Sequence, residues 1–148
     1  MLEWVNVPET EFVNPSGETT SVKLIYDMVE SDGSYTIDVN HVAALLKENP
    51  DGYCGIIPVD FAGYPCDMIS LRKLADQYGL WILEDACHAP GGYLNYNNEK
   101  VFCGDGRLSD AAIFSFHPVK HIATGEGGMV TTNRKEIYDK VNLLRAHG

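Results

Sequence analysis

The stretch "FSFHPVKHIATGEGG", residues 114–128, sets one lysine, Lys120, between an apolar run and a glycine cluster, with few other charges nearby. A solvated surface charge is the commonest fate of a lysine. An amine partly removed from water is held neutral more readily, and a neutral amine is a nucleophile that condenses with an aldehyde to a Schiff base. Upstream, "LWILEDACHAPGG" places the carboxylates Glu84 and Asp85 and the imidazole of His88 directly after an apolar run. Ser115 adds a hydroxyl five residues before Lys120.

An aldehyde that would use all of these groups is pyridoxal phosphate. It needs an amine, a carboxylate against its ring nitrogen, and hydroxyl or backbone donors for its phosphate, and Asp85 and Ser115 are of the right types. An ionised aspartate beside the pyridine nitrogen keeps a proton there, and the protonated ring then accepts electron density when a substrate Cα–H bond breaks. Each residue also has a plainer reading. Asp85 could equally cap the turn that follows it. The "GEGG" glycines read as a tight turn into a strand, or as backbone approaching a ligand, with the turn the simpler account. A lone histidine such as His88 is ordinarily a structural residue.

These residues need elements to position them. "DVNHVAALLKEN" offers Asp38 or Asn40 as an N-cap, and Val42, Leu45 and Leu46 follow at helical spacing. "YCGIIPVDFAG" is an apolar run of strand length. Asp67 can then cap a helix over "MISLRKLADQYG", ended by Gly79, and "LWILEDA" is the next strand. Strand, helix and strand in about 30 residues predict a βαβ unit with parallel strands. "YLNYNNEKVFCGDGR" reads as a surface loop or hairpin. "AAIFSF" and "GGMVTT" read as two more buried strands, and "RKEIYDKVNLLRAHG" as an amphipathic helix carrying Ile137, Val141 and Leu144. The class is α/β. Ligands of open parallel sheets bind beyond the carboxyl ends of the strands. Asp85, His88 and Lys120 all follow strand ends, so the topology predicts that they converge on one sheet edge.

Composition narrows the function. The chain has 148 residues, 45% of them hydrophobic and 22% charged, which suits one soluble domain with a real core. A formal net charge of −10, with the 11 Lys and Arg scattered, gives nothing to attract a phosphate backbone, so no nucleic-acid partner is expected. No apolar run approaches the roughly 20 residues that span a bilayer, and no export signal is visible at the start, so no membrane partner is expected and the location expected is cytoplasmic. Cys54, Cys66, Cys87 and Cys103 form no CxxC pair; they are expected to be reduced thiols, with no metal site.

The blocks "ILEDACHAPGG", "SDAAIFSFHPVKHIATGEGGMVTTN" and "LLRAHG", in that order from about Ser34 to Gly148, resemble the DegT/DnrJ/EryC1/StrS sugar aminotransferases. The resemblance implies the fold type I architecture of pyridoxal-phosphate enzymes, a three-layer α/β/α arrangement around a mostly parallel sheet. It implies that Lys120 is the Schiff-base lysine and also the base of the 1,3-proton shift, that Asp85 pairs with the ring nitrogen, that His88 lies near the cofactor's phenolic oxygen, and that Ser115 meets its phosphate. "SFHPVK" followed by "TGEGG" is most similar to the branch that makes UDP-4-amino-4,6-dideoxy-N-acetyl-β-L-altrosamine. The implied partners are L-glutamate and a nucleotide-linked 4-keto-6-deoxysugar, in a homodimeric enzyme of surface-glycan biosynthesis. A sugar dehydratase of the same fold fits less well, because those relatives carry histidine where Lys120 stands.

The resemblance also sets an expectation about extent. Residues 1–33 show no clean period and no recognisable phosphate loop, although "SVKLIYDMV" echoes the family's preceding strand. Residues 34–148 match part of the cofactor-binding large domain, and the small C-terminal domain of complete members has no counterpart. The chain is therefore expected to be a fragment, with uncovered apolar surface. The alternative function is that of a non-catalytic remnant that at most binds cofactor or a partner.

Overall fold

The computed structural model describes residues 34–146 in full and, before them, the backbone at 10–13, 19–22 and 24–25. The expectation for residues 1–33 thus lies largely outside the described residues. Its described parts are strands β1 (Thr10–Val13) and β2 (Thr19–Val22), which pair antiparallel, and β3 (Leu24–Ile25), within "SVKLIYDMV". The order continues α1 (Val39–Glu48), β4 (Gly55–Ile56), α2 (Met68–Tyr78), β5 (Trp81–Asp85), β6 (Tyr93–Tyr96), β7 (Glu99–Phe102), β8 (Ala111–Ser115), β9 (Gly128–Thr131) and α3 (Lys135–Arg145).

Local chemistry explains the helix ends. Asp38 caps α1, its Oδ1 accepting from Asn40 N at 2.8 Å, and Asp67 caps α2 by accepting from Ser70 N at 3.1 Å. Gly79 ends α2 with φ of 69°, a left-handed conformation that glycine adopts without steric cost.

The central sheet has the order β3-β4-β5-β8-β9. The first four strands are parallel, and β9 returns antiparallel to β8. The strand read from "YCGIIPVDFAG" is shorter than its apolar run. Pro58 has no N–H to give the ladder, and pairing resumes beyond it at Val59, opposite Asp85. One side of the sheet is covered: Val42 and Leu46 of α1 and Met68, Leu71 and Ala75 of α2 pack with Ile56 and Ile82. Burying each large aliphatic side chain there stabilises the fold by roughly 1.5–3 kcal/mol. β5 alternates accordingly, with Ile82 and Glu84 buried and Trp81, Leu83 and Asp85 more exposed.

The polar segment after β5 is a hairpin. β6 and β7 pair antiparallel around Asn97 and Asn98, whose φ values of 52° and 63° suit a two-residue turn that matches strand twist.

One expectation fails. β9 is not buried: Met129 and Val130 are exposed, because β9 is an edge strand and nothing among the described residues packs over it. The apolar side of α3 is likewise open, with Ile137 and Val141 half-buried and Leu143 and Leu144 exposed.

What ties this edge to the core is Asp110. Its buried carboxylate accepts from Ile82 N at 2.6 Å and from Arg72 of α2 at 3.2 Å, and it pairs with Arg134 at the start of α3. Thr132, just after β9, donates its hydroxyl to the Asp110 carbonyl at 2.6 Å. Asp110→Ala would leave the buried Ile82 N–H without an acceptor and take from Arg72 its buried carboxylate, leaving it Asp76 and the Leu80 carbonyl. We expect a loss of about 3 kcal/mol, seen as a Tm lowered by roughly 6–12 °C in thermal melts.

Candidate active site

Asp85 is the last residue of β5 and is held by backbone on both sides. Its N–H donates to Pro58 O at 2.8 Å, its carbonyl accepts from Asp60 N at 3.0 Å, and Ala86 N donates to Ile113 O of β8 at 3.0 Å. The chain then turns: Asp85 Oδ1 accepts from Cys87 N at 3.1 Å. The turn-capping reading of Asp85 is therefore realised, and the carboxylate remains at the sheet edge.

Ser115 ends β8, paired with Gly128, and its Oγ accepts from His117 N at 3.4 Å. The loop beyond it is pinned at its base by Phe116 N to Gly127 O at 2.8 Å and Thr124 N to Phe116 O at 3.0 Å. Lys120 N donates to His117 O at 2.9 Å, closing a turn that carries the lysine. The "GEGG" glycines serve this loop: Gly125 has φ of 85°, and Thr124 Oγ1 bonds Glu126 O at 2.8 Å.

Lys120 is half-buried and, among the described residues, its ammonium has no hydrogen-bond or salt-bridge partner. It lines a cleft of about 370 Å³ with Phe61, Ala62, His88, Val119 and His121. The His88 ring lies 5.5 Å from that of Phe61, which is itself 6.0 Å from Tyr35.

Cys87 reports how close the remaining groups are. Burial pushes its thiol up to about 11, reinforced by a hydrogen bond to Asp85 and by that carboxylate's charge. The Lys120 ammonium and a backbone bond to Ser115 act in the opposite direction. Asp85, Ser115 and Lys120 all act on this thiol at the carboxyl ends of β5 and β8, and His88 lines the same cleft as Lys120. This donor set fits pyridoxal phosphate: an unpaired amine in a cleft, a carboxylate anchored at a strand end, and a hydroxyl beside the loop.

Against known proteins, the profile of the DegT/DnrJ/EryC1/StrS aminotransferase family matches residues 5–148. The chain belongs to that family. The match reaches further back than the sequence blocks that start near Ser34, and it includes β1, β2 and β3. The chain is 41% identical over 120 residues to the UDP-4-amino-4,6-dideoxy-N-acetyl-β-L-altrosamine transaminase of Campylobacter jejuni, covering 81% of this chain and 30% of that protein. Among solved structures it is similar to Helicobacter pylori PseC, an aminotransferase involved in the biosynthesis of pseudoaminic acid, with a TM-score of 0.67 and 35% identity, covering 84% of this chain and 30% of that one. NtdA from Bacillus subtilis, solved with bound cofactor PMP, aligns with a TM-score of 0.61 at 25% identity, over 74% of this chain and 22% of that one. The chain spans under a third of the length of the relatives it matches. Members of the family are sugar aminotransferases that depend on pyridoxal phosphate.

Two residues of the site were not read from the sequence. Phe61 follows the end of the β4 pairing and was discoverable by the same carboxyl-end rule that selected Asp85. Cys87 looked like any other reduced cysteine; no disulfide joins Cys54, Cys66, Cys87 and Cys103. No helix among the described residues is long and apolar enough to cross a membrane.

Cys87 offers a test of this geometry without any ligand. Near neutral pH its alkylation should run roughly a hundredfold slower than that of an unperturbed thiol, because the thiolate is the reactive form. Asp85→Asn removes an anion and should speed the reaction; Lys120→Ala removes a cation and should slow it. Mass spectrometry of the Cys87 peptide gives the order, and equal rates in all three proteins would contradict the proximity described.

Proposed function

We propose that the protein transfers an amino group from L-glutamate to the 4-keto group of a nucleotide-linked 6-deoxysugar, with pyridoxal 5′-phosphate as its cofactor. The observation that carries this reading is the half-buried Lys120 in a cleft shared with His88, at the strand ends where Asp85 also lies, in a chain of this aminotransferase family. The similarity to the Campylobacter jejuni altrosamine transaminase supports a UDP-linked substrate within surface-glycan biosynthesis.

When bound, pyridoxal phosphate supplies an aldehyde carbon for an amine and a ring that delocalises the electrons of a broken C–H bond. The residues of the chain divide the remaining work. Lys120 Nζ would be the nucleophile that holds the cofactor and the base that moves the substrate's Cα proton. Asp85, its backbone clamped on both sides, would hold a proton on the pyridine nitrogen; Ser115 would hold the phosphate through its hydroxyl, and His88, packed against Phe61, would face the phenolic oxygen.

The same reading places the protein in the cytoplasm as a homodimer built around the large, cofactor-binding domain, of which residues 34–148 form part. The exposed apolar residues Met129, Val130, Leu143 and Leu144 support packing of further polypeptide against β9 and α3. They also favour, as a second reading, a chain that binds cofactor without turnover.

The test is an amination assay with L-glutamate and either UDP- or dTDP-linked 4-keto sugars. The proposal expects amination of the UDP substrate and a loss of at least about a thousandfold in Lys120→Ala. Amination of dTDP substrates alone would overturn the branch; activity retained in Lys120→Ala would overturn the mechanism; absence of turnover with cofactor bound would favour the second reading.

A further inference from the structure

Behind the cleft lies a second cluster that the proposed chemistry leaves unused. Neighbouring residues of a strand point to opposite faces, so Glu84 leaves β5 on the side away from Asp85. Its buried carboxyl accepts from Gly104 N at 2.9 Å and from the Ser109 hydroxyl at 2.8 Å. Asp60 is fully buried; its Oδ1 accepts from Cys66 N at 2.8 Å, while its Oδ2 has no partner. Oxygens of Asp60 and Glu84 and the Cys103 sulfur lie within 4.8 Å of one another.

The titratable groups acting on this pair are Cys66 and Cys103, whose thiols burial and the nearby carboxyls push upward, so both stay neutral. Asp105 borders a cavity of about 10 Å³ beside Glu84 and Cys103, room for about one water. Among the described residues no salt bridge includes Asp60 or Glu84. Two adjacent buried carboxylates without a cation cannot both stay ionised.

We propose that Asp60 and Glu84 share one proton in the folded protein, and that this contact positions Asp85 and the Phe61 turn from behind; the positioning half rests on the cleft being the cofactor site. The geometry supplies the linkage. Asp60 N–H holds the Asp85 carbonyl, and the Asp60 carboxyl closes the loop to Cys66 that carries Phe61 against His88. Glu84, the residue before Asp85, is tied to Gly104, whose carbonyl accepts from Thr131 Oγ1 of β9 at 2.6 Å. Loss of the shared proton sets two anions against each other beneath Asp85 and Phe61.

The pH dependence follows. Burial, then the charge of Asp60, pushes Glu84 up to about 7 from an ordinary value of 4.5, and burial raises Asp60 as well. A carboxyl raised in the fold holds its proton more tightly folded than unfolded. Its stabilisation is complete below about 4.5 and is lost as pH rises through about 7.

The test compares native protein with Glu84→Gln, Asp60→Asn and Glu84→Ala. A glutamine amide donates to Asp60 permanently, so Glu84→Gln should gain in Tm relative to native as pH rises from about 4.5 to about 8. Glu84→Ala orphans Gly104 N and Ser109 and should melt roughly 5–10 °C lower throughout. Infrared spectra near pH 6 should show one buried protonated carboxyl in the native protein that is absent from Glu84→Gln and Asp60→Asn. As the positioning readout, Cys87 alkylation against pH should break near pH 7 in native protein, beyond simple thiolate growth, and not in Glu84→Gln.

A missing infrared band, parallel Tm curves for native and Glu84→Gln, or a stoichiometric metal whose chelation lowers Tm would each overturn the shared proton. Identical alkylation profiles would overturn the positioning. All these readouts precede cofactor binding, so failure of pyridoxal phosphate to label the protein would count against the function proposed above and leave the proton-sharing pair standing.

Discussion

The arrangement depends on one constraint: the last residue of β5 must stay in the sheet while its side chain leaves it. Asp85 satisfies this because its N–H and carbonyl are both used by the segment from Pro58 to Asp60, and the next N–H is used by β8. With the backbone fixed on both flanks, the carboxylate has little freedom beyond its own two side-chain torsions. Lys120 is carried by a loop that leaves the neighbouring parallel strand and is closed upon itself near Phe116. A parallel sheet thus turns residues 35 positions apart into neighbours of one thiol.

Glu84 and Asp85 illustrate how strand alternation assigns chemistry. Two consecutive carboxyls of nearly equal intrinsic acidity enter different surroundings because they face opposite ways. Asp85 sits half-buried at an open edge, accepting from the Cys87 N–H. Glu84 lies in the interior beside a second carboxyl, with hydrogen bonds from a glycine N–H and a serine hydroxyl. The first environment suits a carboxylate presented to a ligand; the second suits a proton kept inside the fold.

Much of this was legible in the sequence, where short-range chemistry decides. The caps at Asp38 and Asp67, the left-handed Gly79 and the βαβ unit around "LWILEDA" depend on neighbours a few positions apart, and each was read at its place. The edge position of Asp85, His88, Ser115 and Lys120 followed from one topological rule. The features not read depend on long-range contacts. Nothing local marks Asp60 as the partner of Glu84, or Cys87 as the residue between Asp85 and Lys120. The exposure of β9 and α3 is a similar case: their apolar patterns announce a covering layer, and which polypeptide supplies it is not encoded in the pattern itself. The run read as one strand is also interrupted at Pro58, which shortens the β4 pairing, although pairing resumes at Val59.

The central claim is that Lys120 is the amine that holds an aldehyde cofactor. Borohydride reduction of the protein mixed with pyridoxal phosphate, followed by peptide mass mapping, addresses it most directly. The account predicts one reduced adduct, on Lys120, weakened in Asp85→Asn. Adducts spread over the exposed lysines, with Lys120 no more labelled than Lys47 or Lys140, would contradict it.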